Sequence, residues 1–145
     1  WDANMDMLST TLINLYDPSW PIRSRSVAQP PHYIGSDACV EHSIVTEGCV
    51  IEGSVENSVL SSSATVGKGA KVLYSVLMPG VTVEDGATVE YAIIGEGTVI
   101  KSGAHVGSAP DGSADWGVAT CGPRIEIRSG AEVKAGAMIY KSEEV

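Results

Sequence analysis

Three histidines, three cysteines and a short Gly-Lys-Gly run are the side chains in this sequence with the clearest chemical potential. A histidine with an ordinary pKa serves as a general base. Of His32, His42 and His105, the third is best placed, because it sits inside a regular repeat just before a loop-rich stretch. It reads first as a surface histidine on a regular wall. His32 and His42 read as plain polar positions, and the spacing of the three lacks a metal-binding pattern, so no metal site is expected. Cys39, Cys49 and Cys121 are too few and too scattered for a disulfide framework or a zinc site. Cys49 falls at a small, inward position, where a thiol acts as packing, and Cys39 and Cys121 have no base beside them. Gly67-Lys68-Gly69 is too short for a phosphate-cradling loop. Anion binding would need Arg or Lys. Arg23 and Arg25 stand close together in an irregular N-terminal stretch, either as two solvated charges or as part of an anion pocket. Lys68, Lys71, Lys101, Arg124 and Arg128 are weaker candidates.

The composition narrows the classes further. Nine Lys+Arg against 18 Asp+Glu give a formal net charge of −9, which argues against a nucleic-acid surface. No apolar run approaches the 18 residues of a membrane span. The sequence begins at Trp1 with no charged-then-apolar leader, so a fragment of a longer cytoplasmic protein is expected. The apolar residues are 17 Val and 11 Ile against 6 Leu, with no Phe. Such β-branched side chains favour strands, and few large ones means a thin core.

What must position these residues is a repeat. Glu41-His42-Ser43-Ile44-Val45, Glu56-Asn57-Ser58-Val59-Leu60, Leu73-Tyr74-Ser75-Val76-Leu77 and Glu90-Tyr91-Ala92-Ile93-Ile94 are four versions of one phrase, at spacings of 15, 17 and 17. A shorter period runs inside it. Aliphatic residues fall at 60, 66, 72, 77, 83, 89, 94, 100 and 106, in steps of six and five, and the hexad returns at Ile127, Val133 and Ile139. Glycine follows three residues later at 48, 69, 80, 86, 97, 103, 130 and 136, and a small residue stands four later at 38, 49, 64, 70, 87, 98, 104, 131 and 137. Glycine accepts the positive φ of a sharp corner. Neither helical nor alternating periodicity explains steps of six. A three-sided prism does, with one short strand to a side and coils stacked so that like residues meet. The fold class is therefore all-β, a parallel β-helix of hexapeptide repeats. Its left-handedness is expected by analogy with known hexapeptide folds.

The organisation follows. Residues 1–33 form a connector, helical over 1–8 and irregular after it, with Pro-rich turns at 17–21 and 30–31. The β-helix occupies 34–145, interrupted by an excursion loop at 107–124 that is rich in Gly, Pro, Ser and Asp. If Val45, Leu60, Leu77 and Ile94 face inward, Ile44, Val59, Val76 and Ile93 face out as a stacked aliphatic stripe. Because it recurs in every coil, the stripe is expected to be a covered face, against another domain or subunit.

Several phrases also resemble one family. Trp1-Asp2-Ala3-Asn4-Met5-Asp6-Met7-Leu8, Asn14-Leu15-Tyr16-Asp17-Pro18-Ser19-Trp20, Pro30-Pro31-His32-Tyr33-Ile34-Gly35 and Glu47-Gly48-Cys49-Val50-Ile51-Glu52-Gly53 are similar to the C-terminal part of bacterial glucose-1-phosphate adenylyltransferase (ADP-glucose pyrophosphorylase), or of its paralogous glycogen-biosynthesis subunit. Ser75-Val76-Leu77-Met78-Pro79-Gly80 and Tyr91-Ala92-Ile93-Ile94-Gly95 continue the likeness. The resemblance implies a parent nucleotidyltransferase that makes ADP-glucose from ATP and glucose 1-phosphate with Mg²⁺. It further implies homo- or hetero-oligomers, tetramers in the family, under control by anionic sugar phosphates bound near a domain junction. The family's catalytic G-G-x-G-x-R-L loop is absent here, so no catalytic residue is assigned and no cofactor is expected in this chain. The resemblance makes it the regulatory and oligomerisation half, partnered by its own N-terminal catalytic domain, with Arg23 and Arg25 as effector-pocket candidates. The alternative is a trimeric hexapeptide acyltransferase that takes acyl-CoA and uses a histidine base, His105 being the best placed.

Overall fold

The structure, a computed structural model, describes residues 1–23, 25 and 28–142; the last three residues of the expected β-helix span, 143–145, lie outside them. One five-residue helix, Asp2–Asp6, precedes eighteen strands of two or three residues each. The strands make three six-stranded sheets, and every pairing is parallel. The first face runs from Tyr33–Ile34 to Glu126–Ile127, the second from Cys39–Glu41 to Glu132–Val133, and the third from Ile44–Val45 to Met138–Ile139. Successive strands along the chain therefore go to successive faces, and the chain is a parallel β-solenoid of about six turns, as the hexad requires.

Why the strands stop after two or three residues is visible at the corners. All eight glycines that the repeat marks as corners have φ between 65° and 76°. An L-residue pays roughly 1–2 kcal/mol in that region, so the repeat places glycine where the chain must turn left-handed. The residue after most corners is small because it points into the prism: Cys49, Ala64, Ala70, Ala87 and Thr98 are fully buried, and Val81 after Gly80 is the larger exception. The inward aliphatics stack into the core, with Ile51, Leu60, Leu77, Ile94, Ile100 and Ile127 completely enclosed. Backbone bonds run from coil to coil, as in Val50 N–H to Ala64 O at 3.0 Å and Thr65 N–H to Val81 O at 2.8 Å.

The steps of five have their own cause. They fall at the edge between the second and third faces, where one residue alone makes the turn. Those residues are His42, Asn57, Tyr74 and Tyr91, with φ of 42°, 47°, 48° and 46°. The serine that follows supports the turn. Ser58 Oγ donates to Glu56 O at 2.7 Å and accepts from Ser75 N–H at 3.0 Å; Ser75 Oγ donates to Leu73 O at 2.8 Å and accepts from Ala92 N–H at 3.1 Å. Both serines are fully buried, and a buried hydroxyl is tolerable because each such bond is made. This ladder explains the serine in the repeated phrase.

Two features depart from the expected organisation. The first is the 15-residue coil, in which Val55 supplies the inward residue of the second face, paired with Val40. Its corner is two residues shorter, and Gly53 closes it: a Cβ there would collide with the carbonyls of Ala70 and Gly67. The second is a correction to the excursion loop at 107–124. Its last third is wall, since Ala119–Cys121 forms a strand of the third face, paired with Ala92–Ile94 on one side and Met138–Ile139 on the other. Ala119 and Cys121 are buried like the aliphatics they replace. Their small size hid them from a search for large apolar residues. The excursion itself spans 107–118.

The corners can be tested by adding one methyl group. Gly86→Ala meets open space and carries only the φ of 69°, so it should cost about 1–2 kcal/mol in urea unfolding. Gly107→Ala would also drive its Cβ into the Glu90 carbonyl, and should cost more by roughly the 1–3 kcal/mol of an overpacked site. Equal losses would show that the coil relaxes freely around residue 107.

Candidate functional site

The third face and the corner that leads into it carry the most elaborate surface of the molecule. In register up this face stand Ile44, Val59, Val76, Ile93 and Thr120. Val59 and Val76 are only 7% and 2% exposed within the single chain. The chain's own N-terminal segment lies against this edge at two points. Trp1 sits at one end, its indole Nε1–H donating to Tyr74 O at 2.7 Å and its ring stacked on Tyr91. Met7, Leu8, Ile13 and Leu15 sit at the other, lining a 210 Å³ concavity with His42 and Ile44. Ile44 and Ile93 at the margins remain half-buried.

Just beside the stripe, the side chains of the single-residue corners form a column. His42 Nδ1 lies 2.8 Å from Asn57 Oδ1. Tyr74 and Tyr91 stack with centroids 4.7 Å apart and planes within 9°. Trp116, from the excursion, meets Tyr91 edge-on at 5.7 Å, and its Nε1–H donates to Ser108 O at 3.0 Å. The excursion is thereby pinned against the wall.

Arg23 and Arg25 are exposed and make no salt bridge among the described residues. Lys71 and Arg128 are likewise exposed and without a salt bridge among the described residues, whereas the remaining basic candidates have acidic neighbours. Lys101 Nζ bridges Glu84 at 3.0 Å and Glu126 at 3.7 Å, and Arg124 lies 3.9 Å from Glu96. Lys68 lines a 270 Å³ concavity together with Asp37 and Glu52, whose carboxylates offset its charge. A further concavity of 290 Å³ beside the excursion is lined by Asp111, Asp115 and Glu132 against Lys134. No concavity among these collects positive charge.

The nucleophile and base candidates stay apart. His105 is exposed on the second face, in register between Thr88 and Glu132. His32 is exposed far below it, and His42 is engaged with Asn57. Burial pushes the Cys121 thiol up to about 11 and raises that of Cys49, so both are neutral at physiological pH. The Cys39 thiol is also raised, by partial desolvation and then by the neighbouring Glu41 and Glu56 carboxylates. Among the described residues, no three His, Cys, Asp or Glu side chains converge to hold a metal ion, and no helix is long and apolar enough to cross a membrane.

Set against known proteins, residues 31–122 match the family described as GlmU-like, C-terminal hexapeptide. The chain belongs to this family. Its curated relatives include glucose-1-phosphate adenylyltransferases. That of Clostridioides difficile is 50% identical over 76 residues, covering 52% of this chain and 20% of the relative. That of Geobacillus stearothermophilus is 51% identical over 73 residues, covering 50% and 19%, and that of Acetivibrio thermocellus is 46% identical over 76 residues, covering 52% and 18%. The matched stretch thus spans about a fifth of the length of these relatives. Among solved structures, perosamine N-acetyltransferase from Caulobacter crescentus, in complex with CoA and GDP-perosamine, superposes with a TM-score of 0.63 at 15% identity over 75% of this chain and 50% of that one. At that identity the likeness is one of fold.

The salt-bridge cluster has a checkable pH signature. Lys101 holds the Glu84 carboxyl below its ordinary value of 4.5, with help from Ser102, and Glu84 in turn raises Lys101. The depressed carboxyl stabilises the fold above its unfolded pKa, and that contribution is lost as pH falls from about 4.5 through the folded value. The raised ammonium stabilises below its ordinary 10.5 and is lost as pH rises through the folded value. Lys101→Met should return Glu84 towards 4.5 in a carboxyl-carbon NMR titration; an unmoved titration would remove Lys101 as the cause.

Proposed function

We propose that this chain is the C-terminal regulatory and assembly portion of a glucose-1-phosphate adenylyltransferase. The parent enzyme would transfer the adenylyl group of ATP to glucose 1-phosphate, releasing pyrophosphate and forming ADP-glucose for glycogen synthesis in the cytoplasm. The observation that carries this reading is identity near 50% with relatives of that name, confined to a fifth of their length. The remaining four fifths would supply the catalytic domain, ATP binding and Mg²⁺. The Gly-Lys-Gly run of this chain is a solenoid corner at Gly67–Gly69, with φ of 67° at Gly69.

Residues 1–33 would then be the connector. Its surface supports that role, because Leu12, Tyr16, Trp20 and Ile22 are each at least two-thirds exposed. Four large apolar side chains on one short segment favour contact with a further domain. A rod of stacked coils, stiffened by its hydrogen-bond ladders, would hold such domains at fixed distances. The margins of the third face, at Ile44 and Ile93, would extend the contact into a homo- or hetero-oligomer. Arg23 and Arg25 would sit at the junction, uncompensated by carboxylates, and would receive an anionic sugar-phosphate effector.

The test is made in the full-length enzyme. Arg23→Ala with Arg25→Ala should leave the basal rate of ADP-glucose formation unchanged and raise the half-saturating concentration of an activating hexose phosphate roughly tenfold or more. That is the scale of one lost charge-assisted contact. An unaltered activation curve removes these two residues from the effector site. The acyltransferase reading is separated by calorimetry of this chain with acetyl-CoA, where no binding heat is expected.

A further inference from the structure

Two tyrosines of the solenoid's single-residue corners stand where two distant segments meet. A positive φ is unusual for a large aromatic, yet Tyr74 and Tyr91 both adopt it where glycine would be relaxed. The turn imposes this φ on His42 and Asn57 as well, so what sets Tyr91 apart is the company its ring keeps. Trp1 stacks on its ring at 6.0 Å, Tyr74 at 4.7 Å, and Trp116 packs edge-on at 5.7 Å. The backbone adds to this. Ala119 N–H, where the excursion rejoins the wall, donates to Tyr91 O at 3.1 Å, and Gly107, where the excursion departs, is packed against the Glu90 carbonyl. Both ends of the 107–118 excursion therefore abut residues 90–91, and the N-terminal segment is anchored on the same ring.

We propose that Tyr91 is a mechanical coupler: docking of the N-terminal segment through Trp1 and ordering of the 107–118 excursion through Trp116 reinforce each other across its ring. A displacement of the connector is then felt as loosening of a loop about one hundred residues away in sequence, beside the concavity lined by Asp111, Asp115 and Lys134. The inference rests on this chain's packing and stands apart from the adenylyltransferase reading, because its test reads no enzymatic activity.

Amide hydrogen exchange on the full chain tests it. Trp1→Ala should speed exchange of the 113–118 amides about two- to tenfold, the range of one aromatic contact. By reciprocity, Trp116→Ala should speed the Asn4, Met5 and Met7 amides by a similar factor. Tyr91→Gly removes the ring and suits the turn, so it should fold and loosen both segments together, with Trp1→Ala then adding nothing at the loop. Amides of the inner coils, such as Val83 and Val89, serve as the reference and should not change; Trp20→Ala, at an exposed tryptophan without ring partners among the described residues, should move neither segment. Unchanged loop exchange in Trp1→Ala overturns the coupling. So does an equal acceleration of the Val83 and Val89 amides, which would mean global destabilisation.

Discussion

Every strand in this molecule is too short to stand alone, and the hydrogen bonds between one coil and the next are what make it a strand at all. Tyr33–Ile34 has no neighbour along the chain to pair with; it pairs with Val50–Ile51 a full turn later. The ladder requires that coils be the same size and that their corners turn at the same height. That requirement selects glycine at φ near 70° in eight places, and small side chains where the wall bends inward. It also explains why the one shortened coil needs Gly53, which leaves no room for a Cβ between adjacent corners.

The same constraint shapes the chemistry. A wall built from two-residue strands exposes one side chain per strand and buries the next, so its surface is a regular array with shallow concavities. Nothing in such an array brings a base to a nucleophile. The two buried thiols face a dry core that keeps them protonated, and the cations that stack near carboxylates are spent in ion pairs.

Where the regularity fails, the molecule becomes individual. The N-terminal segment lies beside the third face, held at Tyr74 and Tyr91 by Trp1 and near Ile44 by Met7 and Leu8. The 107–118 excursion leaves the second face and folds back on the same corner. Both meet at Tyr91, which stacks on Tyr74 at the spacing of one coil. The edge between the second and third faces is therefore both the sharpest turn of the prism and the place where non-repeating segments attach.

From the residues alone the prism was legible almost to its corners: the inward aliphatics, the glycines that turn, and the small residues beside them all follow from a period of six. That is local information, written again in each coil, and stacking only repeats it. The stacked aliphatic stripe was legible from its recurrence in every coil. Ala119–Cys121 escaped notice because small residues fill an inward position only when their neighbours are already in place. The Ser58–Ser75 ladder needed coils in register before one hydroxyl could reach the next turn's amide. The meeting of Trp1, Tyr91 and Trp116 belongs wholly to the tertiary structure, since no periodicity joins residues so far apart; only the folding of two irregular segments onto one edge brings their rings within contact.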